Sequence, residues 1–301
     1  VSLVPTATEV LFELGEHEAI KGLTHHDATL RHAQGKPIIG GYFNPSIPKI
    51  KALNPDMVIL SPFHKDVEQA FEHSKIPLFF YTTKSVGHSF ENILALGRIF
   101  GRQDQAQEIL ETNKAQFEHI RQKLAKVPGK KKRVIRLMGR DTLMTPGKDS
   151  FQNDLIRLAG GIPPDFTGPG SVVKVSKQDW VKFNPQVIYG CGQDKKAAQA
   201  FFSRPGYKDV DAVKNGRIYY FPCDLTCRAA THSGYFVSWL SSMIHSKEFC
   251  DPETHVSQRK SRPPRVIDMG LAHVKSARIT QSVIYDFPGK TLVIDFHTPQ
   301  T

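Results

Sequence analysis

The chain has 301 residues, enough for two domains, and its 40% hydrophobic and 10% aromatic content suits an ordinary globular core. Net charge is +11, yet the only dense basic runs, 130–133 and 259–262, sit at apparent boundaries without interleaved aromatics. They read as solvated junctions, so nucleic acid is not expected as a partner. No apolar run reaches the ~18 residues that cross a membrane, and any export leader is expected to lie outside a chain that opens directly on an apolar stretch.

In chain order, Ser2 to Val4 reads as a short strand, followed by a helix from Ala7 to Leu14 that Thr6 or Thr8 can cap with Glu9. Strands follow at Ala19–Leu23, Pro37–Ile39, Met57–Leu60 and Pro77–Phe80. They alternate with helices at Ser46–Leu53, Asp66–Ser74 and Ser89–Phe100. That alternation implies a parallel sheet covered by helices on both faces. Gln103 to Val127 then reads as one long helix, with Ala106, Ile109, Leu110, Phe117, Ile120 and Leu124 forming a single apolar stripe. Pro128-Gly129 ends it.

The plan repeats beyond this helix. Strands are expected at Arg133–Leu137, Gln186–Tyr189 and Arg217–Phe221, with helices at Ser150–Ala159, Ser176–Lys182, Lys195–Phe202 and Thr231–Ile244. Asn54-Pro55 and Asn184-Pro185 each stop a helix and launch an apolar strand, an internal echo that favours duplication. Trp180 is expected in the core. From Asp251 to Pro264 the chain becomes polar and basic like a linker, and Ser282–Tyr285 and Thr291–Phe296 then read as a hairpin. The fold class is therefore α/β: two Rossmann-like lobes with parallel sheets joined by one long rigid helix. The domains are an N-terminal lobe at 1–100, a linker helix at 101–129, a C-terminal lobe at 130–250 and an incomplete β-rich segment at 251–301.

In open parallel sheets ligands sit beyond the carboxyl ends of the strands. The first half places Thr6, His25, His26, Tyr42, Phe63, His64 and Tyr81 there, and the second half Arg140, Cys191 and Arg228. Aromatic, hydroxyl and imidazole groups opposite two arginines suit a bulky, partly apolar ligand with polar edges. No phosphate-loop, dinucleotide, zinc-protease or nucleophile-elbow motif is present, and no nucleophile with a base can be assigned, so residues 1–250 read as non-catalytic. No cofactor and no resident metal are expected. Cys191, Cys223, Cys227 and Cys250 allow three disulfide pairings, and one bridge within the second lobe is expected ahead of metal ligation.

The opening 1–11, Gly40-Gly41-Tyr42, residues 53–59, residues 150–161 and residues 205–219 resemble, in register, the binding proteins that serve vitamin B12, haem and ferric-siderophore ABC importers. The resemblance implies a monomer outside the cytoplasmic membrane that holds its ligand between two lobes and delivers it to a membrane permease. It also implies an exposed acid on each lobe for docking, by position Asp66 or Glu68 and Asp194. Residues 276–296 resemble the start of an adenosylcobinamide amidohydrolase, which implies a corrinoid ligand ahead of a ferric siderophore or haem. A corrinoid-salvage amidohydrolase is the alternative from another class.

Overall fold

The computed structural model describes residues 1–28, 30, 33–139, 142–166, 168, 170–191, 200–228, 230–245, 278–287 and 290–298. The chain forms two compact units, Val1–Phe249 and Cys250–Thr301.

In the first unit, β1 (Val58–Leu60) pairs in parallel with β2 (Leu78–Phe80). Residues 1–4, 22–24 and 37–39 extend this arrangement, but as single bridges, Ser2 to Ile59 and Leu23 to Ile38, rather than as the regular strands the sequence suggested. The Ser2 amide also donates to the Gly22 carbonyl at 3.1 Å. The lateral order is thus 37–39, 22–24, 1–4, β1, β2. Alternation along each stretch divides the apolar side chains between two faces. Ile59 and Val4 join a core with α1 (Pro5–Glu13) and α4 (Val86–Ile99), while Val58, Leu60 and Leu3 join one with α2 (Ile47–Ala52) and α3 (Lys65–Phe71). No side chain caps α1, which has Pro5 at its start. Thr8 instead bonds the Ser2 hydroxyl at 2.8 Å, and Glu9 is used elsewhere, so the expected capping box does not form.

The helix α5 (Gln103–Leu124) is continuous and about 33 Å long at 1.5 Å per residue. Its stripe enters the first-lobe core through Ala106 and Leu110. It packs against α4 on one side and α10 (Ser233–Ile244) on the other. Both approaches are close because a glycine faces the helix. A Cβ on Gly97 would stand 2.6 Å from Ala106 Cβ, and one on Gly234 would stand 2.9 Å from Gln116 Cβ. Asn113 interrupts the apolar stripe and is buried. Its amide donates to Ile109 and Thr231 carbonyls, and its oxygen accepts the Gly234 amide at 2.7 Å.

Beyond α5 a second parallel sheet runs β3 (Val134–Leu137), β6 (Val187–Cys191), β7 (Ile218–Phe221), with Ile162 bridging outside Arg133. The first stretch of each half is therefore internal, the second lies on one side of it, and the later strands on the other. The order repeats as the sequence echo suggested. Around this sheet lie α6 (Phe151–Leu158), α7 (Lys177–Phe183), α8 (Asp211–Lys214), α9 (Cys223–Cys227) and α10. Trp180 is fully buried in this lobe's core, its indole N–H on the Tyr207 carbonyl. A short antiparallel pair, β4 (Met144–Pro146) with β5 (Val172–Lys174), was not expected from the sequence. The expected helix at 195–202 falls largely outside the described residues.

In the second unit, β8 (Arg278–Phe287) and β9 (Lys290–Thr298) pair antiparallel, longer than the two runs read from the sequence.

Candidate functional site

The first lobe carries an aromatic rim where its strands end. Loop 40–45 closes on itself through Gly41 and Asn44, and Gly40 takes φ +122°, where a Cβ would meet the Asn44 carbonyl at 2.6 Å. Only glycine suits this position. The loop presents Tyr42 and Phe43, whose rings meet edge-on at 4.8 Å, and Phe63 from the next strand end lies 6.5 Å from Tyr42. Phe63 is 67% exposed and Phe43 is 82% exposed. Exposed aromatics beside one another, on a braced loop, form an apolar surface patch rather than a piece of core.

A buried polar bracket holds this patch. The Ser61 hydroxyl accepts from the Tyr42 hydroxyl at 3.1 Å and the Phe63 amide at 3.4 Å. His64 accepts the Ser61 amide on Nδ1 at 3.0 Å and donates Nε2–H to the Tyr42 carbonyl at 2.6 Å. Burial pushes the His64 pKa down, and the bond to the Tyr42 carbonyl opposes that shift. Burial likewise raises the Tyr42 hydroxyl, against the bond to Ser61. His25, in the short 3-10 turn His25–Asp27, is exposed and donates Nδ1–H to the Gly40 carbonyl at 2.9 Å. Its neutral ring therefore carries the free lone pair on Nε2.

The two lobes meet at Arg228, just past α9. This guanidinium is buried, pairs with Glu9 at 3.2 Å and donates to the His26 carbonyl at 3.0 Å. Asp27 lies 3.8 Å from it and accepts the Thr24 hydroxyl, and Thr231 donates to Glu9 at 3.0 Å. Burial raises the Glu9 and Asp27 carboxyls; Arg228 opposes the shift of Glu9, and the Thr24 bond followed by Arg228 opposes that of Asp27. A second tie between lobes runs from the Val86 amide to the Asp154 carboxylate at 3.2 Å.

The sequence-derived residues thus separate by placement. Tyr42, Phe63, His25 and His26 stand at the first-lobe rim with exposed surface. His64 lies beneath the rim with both ring nitrogens engaged, and Tyr81 and Thr6 are buried in the lobe. Arg228 is taken up by the lobe junction. Cys191 is bonded to Cys223, so the expected bridge within the second lobe forms, with 5.0 Å between the Cα atoms. Asp66 is exposed on the first turn of α3, and Glu68 pairs with Lys65 at 3.1 Å. Arg140 and Asp194 lie outside the described residues. Phe43 was missed, although an aromatic between Gly40-Gly41 and Asn44-Pro45 has no periodic neighbours to bury it. A groove of about 580 Å³ is lined by Phe117, Arg121, Leu124, Lys130 and Arg157, among others. It lies near the amino end of β3, away from the strand ends where ligands gather.

Among the described residues, no helix is long and apolar enough to cross a membrane. A curated relative, the uncharacterized ABC transporter substrate-binding lipoprotein YvrC of Bacillus subtilis, is 24% identical over 258 residues, covering 83% of this chain and 80% of its own. Similar solved structures include the apo haem-binding protein RhuT of Roseiflexus sp. RS-1, with TM-score 0.71, 18% identity and coverage of 81% and 97%. The vitamin B12 binding protein BtuF of Vibrio cholerae is also similar, with TM-score 0.70, 18% identity and coverage of 81% and 95%. At these identities the structures speak to the fold, the two-lobe α/β arrangement with parallel sheets. Residues 1–225 match the periplasmic binding protein family, and the chain belongs to it.

Proposed function

We propose that the chain is the solute-binding component of an ABC importer, acting outside the cytoplasmic membrane, and that it holds a metal-chelate ligand between its lobes. The observation that carries this reading is the pair of exposed rings Phe43 and Phe63 on either side of half-buried Tyr42, braced from below at the strand ends of the first lobe. A flat macrocycle with a conjugated face is what such a patch suits. The resemblance of residues 276–296 to a corrinoid-salvage enzyme puts a corrinoid first. That resemblance lies outside the family match and is carried by sequence alone. Ligand delivery implies a permease partner, for which Asp66 is the better first-lobe docking acid because Lys65 already neutralises Glu68. Asp194 is its proposed counterpart.

Titration with cyanocobalamin, cobinamide and haemin, followed by absorbance and calorimetry, tests the reading. We expect saturable binding of a corrinoid without product. Phe43→Ala or Phe63→Ala should weaken it about tenfold, each removing one stacking face worth roughly 1.4 kcal/mol, with little change in thermal midpoint because both rings are exposed. Failure of all three ligands to bind would reject the chelate reading, and amide hydrolysis of cobinamide would favour the enzyme alternative. A haem reading has its own support in His25, whose Nδ1–H is committed to a backbone carbonyl as axial and metal-bound histidines commonly are. A Soret shift lost in His25→Ala would favour it.

A further inference from the structure

We propose that Cys191, Cys223 and Cys227 form a redox-gated site for a soft metal ion, filled when the Cys191–Cys223 bridge is opened. Cys223 and Cys227 stand at the two ends of α9, one helical turn apart and therefore on one face. Cys191 meets them from the end of β6. The three sulfur atoms all lie within 4.8 Å of one another. Thiolates around a single tetrahedral ion at about 2.3 Å stand roughly 3.8 Å apart, so small side-chain rotations bring all three onto one centre. Cys227 carries a free thiol and is exposed, which gives an ion a way in and leaves a fourth position for water.

A second, independent feature marks the spot. Arg136 on β3 is 2% exposed and donates Nη2–H to Cys227 Sγ at 3.1 Å. Its Nε and Nη1, and the hydroxyl of neighbouring buried Tyr189, have no partner among the described residues. A buried guanidinium with spare donors needs negative charge beside it. Three thiolates on a divalent ion carry a net single negative charge and would supply it. Sulfur donors select zinc-like or cuprous ions over magnesium or calcium. Opening the bridge takes two electrons: a phosphine and water yield the phosphine oxide and two thiols, which lose their protons on binding the ion.

The full chain, reduced with a water-soluble phosphine and freed of it, is titrated with Co²⁺ while near-ultraviolet absorbance and circular dichroism are recorded. Sulfur-to-cobalt charge-transfer bands should saturate at one ion per chain, be absent from the oxidised protein and persist in Cys250→Ser. Cys227→Ser should weaken binding about a hundredfold and Arg136→Met about tenfold, the range that ligand and outer-shell losses span. Equal bands in Cys227→Ser overturn the proposal. So does a folded, reduced chain that gives no bands, or a reduced chain that unfolds and does not regain its fold with Co²⁺.

Discussion

His64 joins two strand ends from within. With Nδ1 accepting and Nε2–H donating, the ring is neutral in the fold, and burial holds its pKa below the usual 6.5. The unfolded chain takes up a proton first, so the stabilisation is complete above pH 6.5 and is lost as pH falls through the folded value. Thermal midpoints measured from pH 8 down to about pH 5 should fall, and His64→Gln should flatten the curve across that window. The sequence offered His64 as a residue for the cleft because it follows a strand end. Strand-end position was legible. The direction of the ring was not, since it depends on the Ser61 amide and the Tyr42 carbonyl, twenty-two residues away in the chain. Phe43 escaped for the opposite reason: exposure of a turn aromatic follows from the loop's closure on Gly40, which periodicity does not describe.

Among the elements, α5 was the most legible, because six apolar positions in one stripe over some six turns leave little room for another periodicity. What the stripe hid was Asn113, a polar residue whose three bonds are made to the helix itself and to the start of α10. Glycines on α4 and α10 let the helices approach there. Gly234→Ala should therefore cost about 1–3 kcal/mol, as overpacking does, read as a lower urea midpoint with unchanged slope. The pairing of β4 with β5 was not legible, because each contributes three residues and some twenty-five separate them. The first and third stretches of the first lobe lie where they were expected, whereas the second, expected at Ala19–Leu23, starts later because His17–Ala19 forms a 3-10 turn; the three meet as single bridges.

At the scale of the first unit, α5 and the Arg228 junction both join the lobes. Arg228→Ala would leave Glu9 and Asp27 buried without their cation, and breaking such a cluster costs about 3–5 kcal/mol, visible as a large drop in thermal midpoint at pH 7. Above the usual carboxylate range Glu9 is already held at a cost by its burial, so the loss should shrink as pH falls toward 4.5 and the acid is neutralised. A continuous helix and a buried tie also limit lobe motion. Ligand saturation should change the radius of gyration of residues 1–249 by less than about 1 Å, the scale of preorganised binding, and a larger contraction in X-ray scattering would contradict that.

Asn54 and Asn184, the two non-glycine residues with positive φ among those described, occupy matching corners of the two lobes at +42° and +45°. They are not bonded alike. Asn184 accepts the Asp211 amide on its side chain and Arg133 on its carbonyl, so the second corner anchors the start of α8 and the root of β3. Asn54 is exposed and makes no such attachments among the described residues. The second corner is thus a keystone and the first a plain bend, so glycine can stand in for Asn54 without breaking an attachment, whereas at Asn184 it would strip the Asp211 amide of its acceptor.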